Sequence, residues 1–85
     1  MKSFHLEIAA PDGMRFSGDA EQLSVRSIDG ELSILAGHIP YVTALAKGEC
    51  RVYVDGKIRR AEVSGGFLTV TPDAVRLLST DFVWK

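Results

Sequence analysis

Few side chains of this sequence could take part in catalysis, and none has the neighbours that catalysis needs. The histidines are His5, in an alternating run, and His38, in a Gly-His-Ile-Pro segment. An imidazole that acts as a general base requires a nucleophile within hydrogen-bond reach and a third group that orients it. Cys50, Ser33 and Thr43 are conceivable nucleophiles, but Cys50 is interpreted as buried and no feature marks Ser33 or Thr43 as activated. We therefore expect no catalytic residue and a protein that is not an enzyme.

Metal and cofactor sites are not indicated either. Cys50 is the single cysteine and shares a strand face with Val52 and Val54, which predicts a buried structural thiol. Two histidines without a neighbouring cysteine or a His-x-His spacing do not make a zinc-binding pattern. The chain contains neither a GxxxxGK[ST] segment nor a strand-linked GxGxxG segment, so no phosphate-binding loop is expected. We predict no metal, no cofactor and no small-molecule substrate.

Size and charge restrict the remaining classes of function. The chain has 85 residues, which indicates one domain covering residues 1–85. Its formal net charge is −1, so no global field favours binding to nucleic acid or to anionic lipid. No apolar leader follows Met1, and no apolar run approaches the roughly 20 residues that span a bilayer. We expect a cytosolic protein that meets a membrane only through a partner.

Alternating apolar and polar residues predict strands along nearly the whole chain. Turn-forming residues separate these strands, and the strongest turn signals are Asp29-Gly30 and Asp55-Gly56. The last five residues are too few for an element of their own, and their aromatic rings are expected to pack against the domain or a neighbour. The predicted strands are residues 4–9, 14–16, 22–28, 31–35, 41–46, 50–54, 58–63, 67–71 and 74–79. Nine or ten short strands without a helix indicate an all-β sandwich or barrel.

Two features point to contact with another protein. The stretch 39–46 is apolar on both faces of its predicted strand, whereas a sandwich strand usually has one wet face. Either a loop of the chain or another protein covers the second face. Glu31 follows a tight turn and has no second carboxylate placed to make an acid–base pair, so a surface charge facing a complementary cation is the simpler interpretation. By elimination, the residues indicate a rigid β module for protein contact.

Several segments together resemble the epsilon subunit of F-type ATP synthases. From Gly30 to Leu45 the sequence matches the family signature G-E-L-x-I-x-x-G-H-x-P-x-x-T-A-L. Phe4-His5-Leu6 opens like the family's first strand, Phe16-Ser17-Gly18 matches F-S-G, and residues 63–68 match V-S-G-G-F-L. These segments keep the family's order and spacing over most of residues 4–79. Two departures, Ser33 for the usual glycine and Ala36 for the usual proline, predict a less rigid loop.

The resemblance implies a ten-stranded β-sandwich of two five-stranded sheets on the central stalk, the rotor of the enzyme. It would lie at the cytoplasmic face of the bacterial plasma membrane and bind the gamma subunit and the c-ring. Positions matching Ala10, His38 and Thr43 lie against gamma in the family, and the position matching Glu31 lies at the c-ring. With their apolar or sequence neighbours added, the expected gamma surface is Ala10, His38, Tyr41, Thr43 and Leu45. The expected c-ring surface is Glu31, Leu32 and Ser33.

The resemblance also raises an expectation about the end of the chain. Family members commonly continue into a two-helix C-terminal domain that can restrain ATP hydrolysis and in some bacteria binds ATP. Because the sequence stops at Lys85, we expect that hairpin to be absent, with no inhibitory insertion and no ATP site.

Two alternatives belong to other classes of function. A lipoyl or biotinyl carrier domain is also a small β-sandwich with a modified lysine on a hairpin, and Lys57 lies beside the Asp55-Gly56 turn. The characteristic Asp-Lys-Ala or Met-Lys-Met neighbours of such a lysine are missing. A small β-sandwich enzyme remains possible only through His38.

Overall fold

The chain folds into strands joined by short turns. The computed structural model describes residues 2–37 and 39–85, and these residues contain strands and turns but no helix. All strand pairs are antiparallel except β1 and β8, which run parallel from Leu6↔Val75 to Ala9↔Leu78. The strands are β1 (Phe4–Ala10), β2 (Gly13–Ala20), β3 (Gln22–Ser27), β4 (Gly30–Leu35), β5 (Tyr41–Ala44), β6 (Gly48–Val54), β7 (Lys57–Val70) and β8 (Val75–Trp84). The predicted all-β class is confirmed.

The long strands β7 and β8 fold one continuous sheet into two layers. The first layer has the order β2-β1-β8-β7-β5 and uses residues 66–70 of β7 and 75–79 of β8. The second layer has the order β8-β7-β6-β3-β4 and uses residues 57–64 of β7 and 81–84 of β8. The ten separate strands that we expected are not found in the described residues, because β7 and β8 each serve both layers. With their halves counted separately, each layer has five.

Both long strands change phase where they pass between the layers. In β7 the buried side chains are Ala61 and Val63 in the second layer but Leu68 and Val70 in the first. A regular strand keeps one alternating set of side chains inward, so this change marks an irregularity in the strand. Gly66 lies at the crossing with a φ of 116°, and a β-carbon there would overlap the backbone of β8. Only glycine fits this close approach.

Two predicted turns form, one of them shifted by a residue. The Asp55-Gly56 turn has positive φ values of 51° and 75° at its two residues, as a primed hairpin turn requires. The other turn is centred on Ile28 and Asp29, because Ser27 pairs with Gly30 and Gly30 begins β4. Ser27 stabilises it, since its hydroxyl accepts from the Asp29 N–H at 3.2 Å and donates to the Gly30 carbonyl at 2.8 Å.

The final residues extend β8 and close one side of the sandwich. Residues 81–84 pair with residues 61–64 of β7. They form no element of their own but continue β8, so the predicted end of the last strand at residue 79 was wrong. Residues 61–64 of the long strand β7 provide the backbone edge with which residues 81–84 pair. The predicted packing of the aromatic rings is confirmed: Phe82 is buried, and Trp84 meets it edge-on with ring centroids 4.9 Å apart. Trp84 Nε1 also donates to the Arg15 carbonyl on β2 at 3.2 Å, which joins the two layers.

The core lies between the layers and draws on both. It includes Leu6 and Ile8 of the first layer and Leu23, Cys50 and Val52 of the second, all without solvent exposure. Apolar burial of this kind contributes about 25 cal/mol per Å² of apolar surface. The core leaves the outer faces and the free edges of the layers as the surfaces available to partners.

Candidate functional site

Glu31 lies on the outer face of the second layer, where its carboxylate is engaged within the chain. Arg51 reaches from β6 past β3, and its Nη2 donates to Glu31 Oε1 at 2.5 Å. The Glu31 side chain is 56% exposed and that of Arg51 is 34% exposed. Arg26 pairs directly across from Glu31 on β3, and Lys47 lines the same cleft of about 520 Å³. Glu31 is therefore a surface carboxylate in a cleft that also contains three cations, Arg26, Lys47 and Arg51, and a second carboxylate, Glu49.

Residues of the expected gamma surface and of the expected c-ring surface lie together at the opening between β4 and β5. On this side β4 ends the second layer and β5 ends the first. Leu32 and Ser33 of β4 and Tyr41 of β5 line one depression of about 420 Å³, together with the exposed Ile39. Ser33 also shares a hydrogen bond with the hydroxyl of Ser24, with the oxygens 3.0 Å apart. The structure thus brings two expected c-ring residues beside one expected gamma residue.

The other expected gamma residues are placed less favourably for contact. Thr43 and Leu45 are only 7% and 5% exposed, so their side chains belong to the interior. Ala10 is partly buried at the end of β1 and packs against the core. His38 lies outside the described residues. Strand alternation explains the result, because β5 turns Val42 outward and Thr43 inward.

An exposed apolar stripe that the sequence reading did not predict crosses the first layer. The pairing registers place one apolar residue from each strand side by side, and we call these five residues the first-layer stripe: Ala44, Phe67, Leu78, Ala9 and Met14. Phe67 is 59% exposed and Leu78 53%, and a depression of about 370 Å³ lies beside them. Contiguous apolar surface of this kind marks sites of protein interaction.

A sequence signal for this stripe does exist. Phe67-Leu68 and Leu77-Leu78 are pairs of consecutive large apolar residues within strands. Because successive side chains of a strand point to opposite faces, one member of each pair must face outward. In the structure Leu68 and Leu77 are buried, and their neighbours form the stripe.

A row of charges runs beside the stripe on the same face. Arg76 Nε donates to Glu7 Oε1 at 3.0 Å, and His5 Nε2 lies 3.1 Å from Glu7 Oε2. The hydrogen bonds from His5 and Arg76 lower the pKa of Glu7. The other ring nitrogen of His5, Nδ1, lies 3.8 Å from Asp19 Oδ1. These contacts make His5 a surface hydrogen-bonding partner of Glu7, and the apolar stripe therefore has a polar border.

Reactive chemistry is not supported by the described residues. Cys50 is fully buried, as predicted, and burial raises the pKa of its thiol to about 12. A thiol in that state is not an effective nucleophile. Within residues 2–37 and 39–85, no three His, Cys, Asp or Glu side chains are grouped so that they could hold a metal ion. The same residues include no helix with the length and hydropathy to cross a bilayer.

The fold and its surfaces define a β-sandwich module with apolar and charged surfaces suited to protein contact. Residues 3–85 match the family described as the ATP synthase delta/epsilon chain, β-sandwich domain. The chain belongs to this family. The carrier-domain alternative loses its support, and Lys57 is the first residue of β7, next to the turn.

Individual relatives agree with this assignment. The chain is 47% identical over 79 residues to the ATP synthase epsilon chain of Bacillus velezensis, which covers 93% of this chain and 60% of the relative. It is 40% identical over 84 residues to that of Caldicellulosiruptor saccharolyticus, covering 99% of this chain and 61% of the relative. The chain thus spans about 60% of the length of these curated relatives.

Solved structures show the same fold in ATP synthases. A chain in the Euglena gracilis mitochondrial ATP synthase, in a structure of OSCP, F1 and c-ring, superimposes with a TM-score of 0.90 at 27% identity. The match covers 96% of this chain and 53% of that one. A chain in the central stalk/c-ring structure of the Tetrahymena thermophila enzyme gives a TM-score of 0.82 at 14% identity, covering 95% and 66%. The second match supports the fold alone.

Proposed function

We propose that this chain acts as a non-catalytic epsilon subunit in the central stalk of an F-type ATP synthase. It binds the gamma subunit and the c-ring together, so that rotation of the ring turns the stalk during ATP synthesis. It lies at the cytoplasmic face of the bacterial plasma membrane and is held there by its partners. Family membership and the names of the relatives support this role. The similarity to a chain in an assembly that contains F1 and the c-ring supports it further.

The first-layer stripe is the observation that carries the gamma contact. Val42 and Ala44 flank Thr43 on β5, and Ala9 precedes Ala10 on β1, so the stripe adjoins two positions that the family resemblance assigns to gamma. Thr43 itself is buried, whereas Ala10 is partly exposed and lines the depression beside the stripe. Apolar anchors at the centre of an interface provide most of its binding energy. The gamma subunit is therefore expected to cover Phe67 and Leu78.

The opening between β4 and β5 is proposed as the c-ring contact. Leu32 and Ser33 line this depression with Tyr41, and Glu31, the residue before Leu32 on β4, supplies a charge in the adjoining cleft on the outer face of the second layer. An exposed ion pair contributes only about 0–1 kcal/mol, so Glu31 provides a small part of the binding free energy of this contact. Tyr41 lies where the two proposed surfaces meet, which suits a subunit that must join two partners.

Substitutions on the stripe test the gamma contact. Phe67→Ser and Leu78→Ser remove apolar surface without opening the core, and each should weaken binding to an α3β3γ complex by roughly tenfold. Binding is measured by biolayer interferometry with the immobilised complex of a Bacillus enzyme. Val83→Ser is the matched control, because Val83 is also an exposed apolar residue of β8 but lies on the second layer.

The outcomes separate the alternatives for this surface. We expect Val83→Ser to bind as the unsubstituted chain does. Equal affinities for all variants would show that the stripe is not part of the gamma interface. A failure of the folded, unsubstituted chain to bind either the α3β3γ complex or an isolated c-ring would refute the proposed function.

A further inference from the structure

Arg51 holds a position from which it can control Glu31. The two side chains are 20 residues apart in sequence, on β6 and β4, with β3 between them. The hydrogen bond from Arg51 Nη2 to Glu31 Oε1 is 2.5 Å long and joins two groups of opposite charge. Charge-assisted hydrogen bonds are the stronger kind. This contact uses one of the two carboxylate oxygens of Glu31, Oε1.

The surroundings of Arg51 favour this one orientation. Arg60 pairs directly across from Arg51 on β7, and like charges in that position repel each other. Glu49 lies next to Arg51 on the same side, but its Oε1 is 3.9 Å from Arg51 Nε, beyond hydrogen-bond distance. Arg51 Nε is buried and has no hydrogen-bond partner among the described residues. Repulsion from Arg60 and the hydrogen bond to Glu31 favour this orientation, while Glu49 lies at ion-pair distance from the Nε side of the guanidinium.

We infer that Arg51 is a positioning residue for the c-ring contact, a role that rests on the proposed function. It fixes the Glu31 carboxylate in one orientation with Oε2 directed to the partner, so a cation on a loop of the ring meets a carboxylate that is already ordered. Ordering a flexible side chain on binding opposes association, and a side chain ordered beforehand avoids that cost. Arg51 acts on the ring through Glu31 and does not touch it.

The test is a double-mutant cycle on the folded chain. Glu31→Gln, Arg51→Gln and the double variant are titrated against a detergent-purified c-ring from a Bacillus enzyme, in low and high NaCl. Each single variant should weaken binding by roughly two- to fivefold at low salt, and the double variant should bind no worse than Glu31→Gln. Arg51→Lys should restore part of the loss, since it keeps the charge but not the planar fork.

A matched control separates positioning from bulk charge. Lys57→Gln removes a positive charge from the exposed beginning of β7, outside the cleft that Glu31 and Arg51 line, and it should bind as the unsubstituted chain does. Additive losses in the double variant would mean that Arg51 contacts the ring directly. Unchanged or tighter binding by Arg51→Gln would mean that Arg51 competes with the ring or does nothing. Each of these results would overturn the inference.

A second measurement distinguishes this inference from the proposed function. Side-chain NMR couplings of Glu31 in the free chain should report one rotamer, and Arg51→Gln should average them. Absence of ring binding by the unsubstituted chain would refute the proposed function, and the NMR couplings would then decide the positioning alone. Averaged couplings in the unsubstituted chain would overturn the positioning role whatever the ring does.

Discussion

Replacing Trp84 with alanine should strongly destabilise the fold, although the residue is next to last in the chain. Its indole ring lies 4.9 Å from Phe82 and 6.4 Å from Phe16, measured between ring centroids, and both contacts are edge-on. The Arg59 guanidinium carbon lies 4.0 Å from the ring centroid. With the hydrogen bond to the Arg15 carbonyl, these contacts tie the end of β8 to β2 and β7.

These contacts determine how much the Trp84→Ala substitution should lower the free energy of unfolding. An edge-on aromatic pair contributes about 0.5–1.5 kcal/mol beyond its buried area, and a cation–π contact at an exposed site about 0.5–1 kcal/mol. Replacing a buried aromatic residue by alanine typically costs about 3–5 kcal/mol, and Trp84 is only partly buried. We therefore expect a loss of about 3 kcal/mol in the free energy of unfolding. For a domain of this size, that lowers Tm by roughly 12–24 °C.

Urea denaturation followed by far-UV circular dichroism measures this loss. Trp84→Phe is the matched control, because it keeps an aromatic ring and loses the indole N–H, and it should lose only about 1 kcal/mol. In the unsubstituted chain, fluorescence of the single tryptophan should unfold together with the circular dichroism signal. A loss below about 0.5 kcal/mol for Trp84→Ala, which is the range of ordinary surface substitutions, would refute the docking of β8 on β2.

Three further predictions concern the backbone crossing, the thiol and the terminal ion pair. Gly66→Ala should lower the free energy of unfolding by more than about 4 kcal/mol or prevent folding, because the added β-carbon would overlap the β8 backbone. Gly13→Ala is the control: a β-carbon at Gly13 meets no atom within 4 Å, so the loss in the same urea titration should be smaller. Cys50 should react with a thiol reagent at pH 8 only after denaturation, since its pKa is about 12 in the folded chain; labelling of the native protein at the rate of a free thiol would contradict this. The hydrogen bond that Lys85 Nζ donates to the Glu49 carboxylate lowers the pKa of Glu49 and raises the pKa of Lys85. The stabilisation is therefore lost as pH falls through the lowered pKa of Glu49 and as pH rises through the raised pKa of Lys85. Lys85→Met should flatten the pH dependence of Tm at both ends, and an unchanged profile would show that the pair contributes nothing.

Local features of the fold could be predicted from the sequence because they depend on neighbouring residues. The Asp55-Gly56 turn needs two positive φ values, and those residue types supply them. The burial of Cys50 follows from its place in an alternating strand. The family signature from Gly30 to Leu45 likewise lies within one continuous stretch. The all-β class and the family were therefore within reach of the sequence.

The tertiary structure decided which side chains reach a partner, because that depends on strands far apart in the chain. Alternation shows that one residue of Phe67-Leu68 faces outward, but the change of phase at Gly66 decides that it is Phe67. Thr43 was expected at a surface, and the pairing of β5 with β7 turned it inward. The register of β3, β4 and β6 brings Arg51 to Glu31, and no local pattern encodes that register. Sequence periodicity describes each strand by itself, whereas function at these surfaces arises from the order in which the strands are paired.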